Sequence, residues 1–184
     1  MEVARSATGR EPGLRFRVPT GEIEFRDEVR GDASFDVERD VGDFLVMRRG
    51  GLPAYQLAVV VDDAADGVTE IVRGDDLLPS TARQLLLARA LGLTPPRWWH
   101  VPLVLDGSGR RLAKREKDLG LEELRARGAD PRAVVVWAAR SAGAPIEARG
   151  TAREVLRGFT LETLSREPVT LDAGALAALL EARP

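Results

Sequence analysis

Apolar and polar positions alternate near the start of the chain. Leu14-Arg15-Phe16-Arg17-Val18 and Glu22-Ile23-Glu24-Phe25-Arg26-Asp27 both follow a period of two, and Pro19-Thr20-Gly21 separates them. That pattern predicts a β-hairpin. Val29-Arg30-Gly31 and Phe35-Asp36-Val37 are expected to extend the same antiparallel layer, and Asp43 to Arg48 reads as another strand before the turn Gly50-Gly51. Residues 1–13 show no periodicity and read as an exposed start.

Beyond Pro53 the pattern changes. Tyr55 to Val61 is an apolar run ending at Asp62-Asp63, and it fits either a buried strand or a buried helical segment. Its β-branched density favours a strand toward its end, while Gln56-Leu57-Ala58 suits a helical turn. Gly67 interrupts, Thr69 to Gly74 reads as a short strand, and Pro79-Ser80 opens a helix from Thr81 to Leu91 that Gly92 stops. A further strand is expected from Trp98 through Leu105. Strand, glycine, helix and strand in succession predict an α/β fold with a parallel sheet, whose ligands would sit at the strand ends.

Asp106-Gly107-Ser108-Gly109 is a tight turn, and Arg110 to Lys117 is the densest basic cluster. Helices are expected near Leu121 to Arg127, from Pro131 through Trp137, over Thr151 to Leu156 and over Ala175 to Leu180. The chain thus passes from β-rich (1–50) to mixed (51–118) to helical (119–184).

Composition narrows the chemistry. The sequence is 44% hydrophobic and 30% charged with a formal net charge of -2, which fits a soluble globular protein without a global basic field for nucleic acid. Any polyanion site must be local. With no cysteine and one histidine, thiolate zinc sites, disulfides and a histidine-based triad are excluded or disfavoured. The start lacks an apolar signal core and no run reaches membrane-span length, so a cytoplasmic protein without a membrane partner is expected.

Several residues could carry chemistry. Lys114, in the basic loop after the glycine turn, could neutralise phosphate charge, although on charge alone such a loop reads as solvated. Arg73, ending a short apolar strand, could clamp a carboxylate or form a structural ion pair with Asp75 or Asp76. Tyr55 could offer its hydroxyl to a small ligand or cap a core. Asp62 and Asp63 read as a cap or turn before a metal pair or ribose contact, and His100 as a packing residue before a base.

Taken in order, Pro53-Ala54-Tyr55-Gln56-Leu57-Ala58-Val59-Val60-Val61-Asp62-Asp63, Gly67 to Leu77, Ser80-Thr81-Ala82-Arg83-Gln84, His100 to Leu105 and Arg111-Leu112-Ala113-Lys114-Arg115 resemble the glutamyl-tRNA synthetase family of class I. Within it they are most similar to the short glutamyl-Q tRNA(Asp) branch, which lacks an anticodon-binding domain. The tail from Phe159 to Thr170 is similar too, so the resemblance covers roughly residues 14 to 172.

The resemblance implies a ligase that activates glutamate with ATP and Mg2+ and transfers it to the queuosine of tRNA(Asp), with no zinc. By the same resemblance Tyr55 and Arg73 would hold glutamate. Asp76 and Arg115 would lie at ATP, and Lys114, in a KMSKS-type loop, would stabilise the departing pyrophosphate. Ala113 stands where the loop usually has serine. Residues 1–50 would be a β-rich remnant of the inserted acceptor-binding region, 51–118 the second half of a Rossmann-type nucleotide-binding domain, and 119–184 a helical tail. The HIGH-type signature is not in the sequence, so the chain is expected to be either a carboxy-terminal portion whose amino-terminal half is missing or a decayed descendant, inactive alone. A fragment of an ordinary glutamyl-tRNA synthetase and a noncatalytic RNA- or protein-binding remnant are the alternatives.

Overall fold

A computed structural model describes residues 12–112, 120–146 and 150–181. The chain is mixed α/β and forms two compact units, Met1–His100 and Val101–Pro184.

In the first unit, β1 (Leu14–Phe16) pairs antiparallel with β4 (Phe44–Met47), and β2 (Glu22–Asp27) pairs antiparallel with β3 (Gly31–Asp36). The expected hairpin between the first two alternating runs is therefore not formed. The physical reason lies in the turns. Asp27 accepts hydrogen bonds from the Val29 and Arg30 N–H groups at 3.0 and 2.7 Å and Gly31 takes φ 82°, so the chain reverses tightly between β2 and β3. At the other junction Pro19 has no N–H to give a ladder, while Asp43 draws β1 toward β4 by accepting from Val18 N–H and, through its carbonyl, from Arg15.

Tyr55 to Val61 lies wholly within a helix, α1 (Tyr55–Ala65), which settles the ambiguity of that run against a strand. A short strand β5 (Glu70–Gly74), one 3-10 turn (Asp75–Leu77) and α2 (Leu78–Leu91) follow. Pro79 fits the first turn of α2, where its missing N–H costs nothing, and Gly92 closes the helix in the left-handed region at φ 66°.

The strand expected from Trp98 through Leu105 divides into β6 (Arg97–Val101) and β7 (Val104–Asp106) at Pro102-Leu103. The four-stranded sheet runs β3-β2-β6-β5, with β6 parallel to β2 at Asp27 and Trp98. Within it β2 and β3 are antiparallel, as expected of that stretch, and β6 stands between β2 and β5. Ile23, Val37, Phe44, Leu85, Leu86 and Trp98 form its core, and Phe25 bridges a stacked contact to Phe35 (6.0 Å) and an edge contact to Trp98 (5.7 Å).

In the second unit β7 lies parallel to β8 (Val169–Leu171), so the helical region also contributes a strand. The unit also contains α3 (Leu121–Ala126), α4 (Pro131–Ser141), α5 (Ala152–Gly158) and α6 (Ala173–Glu181), of which α6 packs against β8 and α4. Gly143, after α4, has φ 87°, and a Cβ there would run into the Thr163 carbonyl and stand 3.0 Å from the Ser165 N–H. That N–H donates to the Ala142 carbonyl at 2.9 Å, so the neighbour is held in place. Gly143→Ala is expected to destabilise the protein by more than about 1 kcal/mol in urea unfolding.

Candidate active site

Arg73 sits near the end of β5, half-buried, directly before the turn into α2. Its Nε–H donates to His100 Nε2 at 2.9 Å, and Nη2 donates to Thr81 Oγ1 at 2.7 Å and to the Leu77 carbonyl at 3.5 Å. Thr81 Oγ1 is also 3.2 Å from His100 Nε2. Among the described residues Nη1 makes no hydrogen bond. Asp75 pairs with Arg30 and not with Arg73, while Asp76 acts on Arg73 through its charge.

Behind Arg73 the polar groups continue inward. His100 is 0% exposed and Asp27 1%. On β6, Trp98 and His100 share the buried phase of the strand; on β2, Ile23 and Asp27 do. His100 Nδ1 meets Asp27 Oδ2 at 2.6 Å, and the His100 backbone N–H reaches the same carboxylate at 3.2 Å. A carboxylate can only accept and a guanidinium can only donate, so the ring carries its proton on Nδ1 and accepts at Nε2.

The electrostatics agree with that assignment. Burial pushes the His100 pKa down, Asp27 opposes by hydrogen bond and charge, and Arg73 adds to the fall. The imidazole is neutral, and its contact with Asp27 is a hydrogen bond of a neutral ring. Burial pushes the Asp27 pKa up, but hydrogen bonds from Arg30 N–H, His100 and Val29 N–H outweigh it and hold the carboxyl below its usual range. Arg73 is shifted down by burial, against the acidic groups of Tyr55, Asp63, Asp27 and Asp76, and a guanidinium keeps its charge regardless. One buried carboxylate is thus linked to one guanidinium through a neutral ring.

The structure brings Tyr55, Asp63 and Asp76 into the electrostatic surroundings of Arg73. Tyr55 is the first residue of α1, 58% exposed, so it caps no core. Gln56, beside it, donates to Ser80 Oγ at 3.2 Å and accepts from Gln84 at 3.0 Å, which fixes the start of α1 against α2. Asp76 is exposed in the 3-10 turn. Asp62 and Asp63 lie inside the last turn of α1, which continues to Ala65, so they are helical residues and not the cap or turn expected from sequence. Among the described residues no group of three potential metal ligands occurs.

Lys114 and Arg115 lie outside the described residues. The base of their loop is described: Asp106 accepts from Ser108 Oγ at 2.6 Å, from Ser108 N–H at 2.8 Å and from Arg110 N–H at 3.0 Å, and its carboxyl is lowered to about 2, chiefly by the Ser108 hydroxyl. Asp106 N–H to Arg110 O (2.7 Å) and Leu112 N–H to Val104 O (2.9 Å) close the turn. A separate cavity between α1, α2 and Trp98 holds only about 20 Å³, the scale of one water, and is too small for an amino acid.

Asp27 and Thr81 are the polar residues that pattern reading missed. A signal for Asp27 existed: it shares the alternation phase of Ile23 and Phe25, which places a carboxylate on the core side. Thr81 gave none.

Residues 2–177 match the family described as tRNA synthetases class I (E and Q), catalytic domain. The chain belongs to that family. It is 45% identical over 177 residues to a glutamyl-Q tRNA(Asp) synthetase of Symbiobacterium thermophilum, covering 96% of this chain and 54% of the relative. The corresponding protein of Nocardia farcinica is 46% identical over 174 residues (94% and 53%), and a glutamate–tRNA ligase of Desulfitobacterium hafniense 38% over 173 residues (92% and 35%). The synthetase fold recurs in the crystal structure of glutamate-tRNA synthetase from Elizabethkingia anophelis, with a TM-score of 0.79 at 24% identity over 92% of this chain and 38% of that one. This synthetase-family chain spans about half the length of the glutamyl-Q relatives it matches.

Proposed function

We propose that this chain carries the amino-acid-binding part of a glutamyl-Q tRNA(Asp) synthetase, an enzyme that activates glutamate with ATP and passes it to the queuosine of tRNA(Asp). The observation that supports it best is Arg73: a fixed, half-buried cation whose Nη1 is left for a carboxylate among the described residues. Tyr55, exposed at the start of α1 and within the field of Arg73, supplies a hydroxyl to the same ligand.

Asp76 and Arg115 serve ATP, and Lys114 neutralises the pyrophosphate that leaves when a glutamate carboxylate attacks the α-phosphate. Mg2+ accompanies the ATP phosphates. Residues 1–50 derive from the acceptor-binding insertion, 51–118 supply the second half of the nucleotide-binding domain and 119–184 the tail, in a cytoplasmic protein.

The test is an L-glutamate titration of the 15N-labelled chain, followed at the Arg73 Nε–Hε resonance. A saturable shift is expected, with a smaller one for L-glutamine. Arg73→Lys keeps a charge but loses the planar fork, and glutamate should bind about tenfold more weakly. An Arg73 resonance indifferent to glutamate would overturn the assignment.

The second reading, part of an ordinary glutamate–tRNA ligase, draws on the Desulfitobacterium relative. Gel-shift competition separates the two: a preference for queuosine-containing tRNA(Asp) favours the first, and a preference for tRNA(Glu) the second.

A further inference from the structure

Asp27 lies at one end of a chain of three side chains that reaches Arg73 through the core. Its Oδ1 accepts from Val29 N–H and Arg30 N–H, and its Oδ2 accepts from His100 Nδ1 at 2.6 Å. His100 Nε2 then accepts from Arg73 Nε–H, while Thr81 Oγ1 takes Nη2. All three supporting residues are nearly sealed from solvent: Asp27 is 1% exposed, and His100 and Thr81 are 0%. A buried carboxylate and imidazole are expensive to maintain unless fully hydrogen-bonded. Here each of these groups is hydrogen-bonded, and the chain of side chains ends at the half-buried guanidinium.

We propose that Asp27 is a positioning residue: by holding His100 as the Nδ1–H tautomer it locks the Arg73 guanidinium, leaving Nη1 for the carboxylate of an amino-acid ligand. This rests on Arg73 taking a carboxylate, as above. The logic is directional. The backbone donors fix Asp27, Asp27 decides which ring nitrogen bears the proton, and the bare Nε2 is what Arg73 Nε–H needs. A proton on Nε2 would set two donors against each other across 2.9 Å.

Asp27→Asn changes that logic while keeping the shape. Its carboxamide oxygen would keep the Val29 and Arg30 N–H bonds, so its NH2 would face His100 Nδ1. The ring answers by moving its proton to Nε2, and Arg73 loses its anchor.

The experiment reads the 15N shifts of the His100 ring, the solvent exchange of Arg73 Nε–H and L-glutamate affinity in the full chain. The wild type is expected to show the Nδ1–H tautomer. Asp27→Asn is expected to show the Nε2–H tautomer, Arg73 Nε–H exchange about tenfold faster and glutamate binding about tenfold weaker. Thr81→Val should keep the wild-type tautomer and weaken glutamate about threefold, since only the Nη2 anchor goes.

An Nε2–H ring in the wild type overturns the proposal without any variant having to fold. A folded Asp27→Asn protein with unchanged Arg73 exchange, or with unchanged glutamate affinity, overturns it as well. If the wild type does not bind glutamate, the carboxylate reading of Arg73 fails, and with it the ligand role of the lock. A normal tautomer and slow Arg73 exchange would then trace that failure to the ligand assignment, with the lock itself intact.

Discussion

Replacing His100 with alanine is expected to cost about 3–5 kcal/mol of stability, the scale for removing one member of a buried charged network. The ring is fully buried and fills the space between two oppositely charged groups, so its loss has three parts. Asp27 keeps its backbone donors but loses its side-chain partner. Arg73 loses the acceptor for Nε–H. A cavity the size of an imidazole is left on β6, between β2 and β5. Thr81→Val, which removes one acceptor and preserves volume, should cost about 1–2 kcal/mol. Urea unfolding followed by tryptophan fluorescence measures both. Equal, small losses for the two variants would show that the network is not what stabilises this part of the sheet.

Acid should weaken the fold well before carboxylates in general protonate. The folded pKa of His100 lies below its ordinary 6.5, chiefly because burial disfavours the charged ring. Between that folded value and 6.5 the unfolded chain binds a proton that the folded chain does not, so stability falls as pH falls. One such proton gives a slope of up to about 1.4 kcal/mol per pH unit. Asp27 has the same sign in a lower window: its folded pKa lies below 3.8, so its contribution is present above that value and is lost as pH falls through the folded pKa. The sequence contains a single histidine, which makes the interval from pH 7 to 5 a clean report on this ring. Charges from Asp27, Arg73 and Asp75 all act on it. Urea midpoints at pH 7 and 5.5 decide the matter, and equal midpoints would contradict the neutral, buried imidazole.

Much of the architecture was legible because its signals are local. Pro79 and Gly92 bracket α2 as start and stop residues should, and the Asp43 to Arg48 run contains β4. Pairing was less legible. Which strand lies beside β1 depends on Asp43, twenty-five residues beyond Val18, and no alternation pattern encodes that choice. The Tyr55 to Val61 run carries one polar side chain, Gln56, among apolar ones, so period could not separate helix from strand until α2 and β4 supplied its packing.

The site divides the same way. Arg73 and Tyr55 could be singled out by residue type and by resemblance, and the structure places Tyr55 in the field of Arg73. The support behind Arg73 was mostly hidden. His100 is the satisfied core residue its surroundings suggested, yet its two ring nitrogens join β2 to β5 through partners 73 and 27 positions away. Contacts at that separation are products of the tertiary fold, and only the alternation phase of Asp27 hinted at them.

The way Arg73 is held has a thermodynamic consequence. A free arginine side chain gives up as much as about 2 kcal/mol of rotamer entropy when it is ordered. Here His100 and Thr81 have already confined it, so that loss is incurred once, during folding, and would not recur on binding the carboxylate proposed above. On the proposed role of Arg73, loosening the anchor transfers an entropic cost from folding to binding: a variant with a freer Arg73 would meet the proposed carboxylate with the same charge and still hold it less tightly.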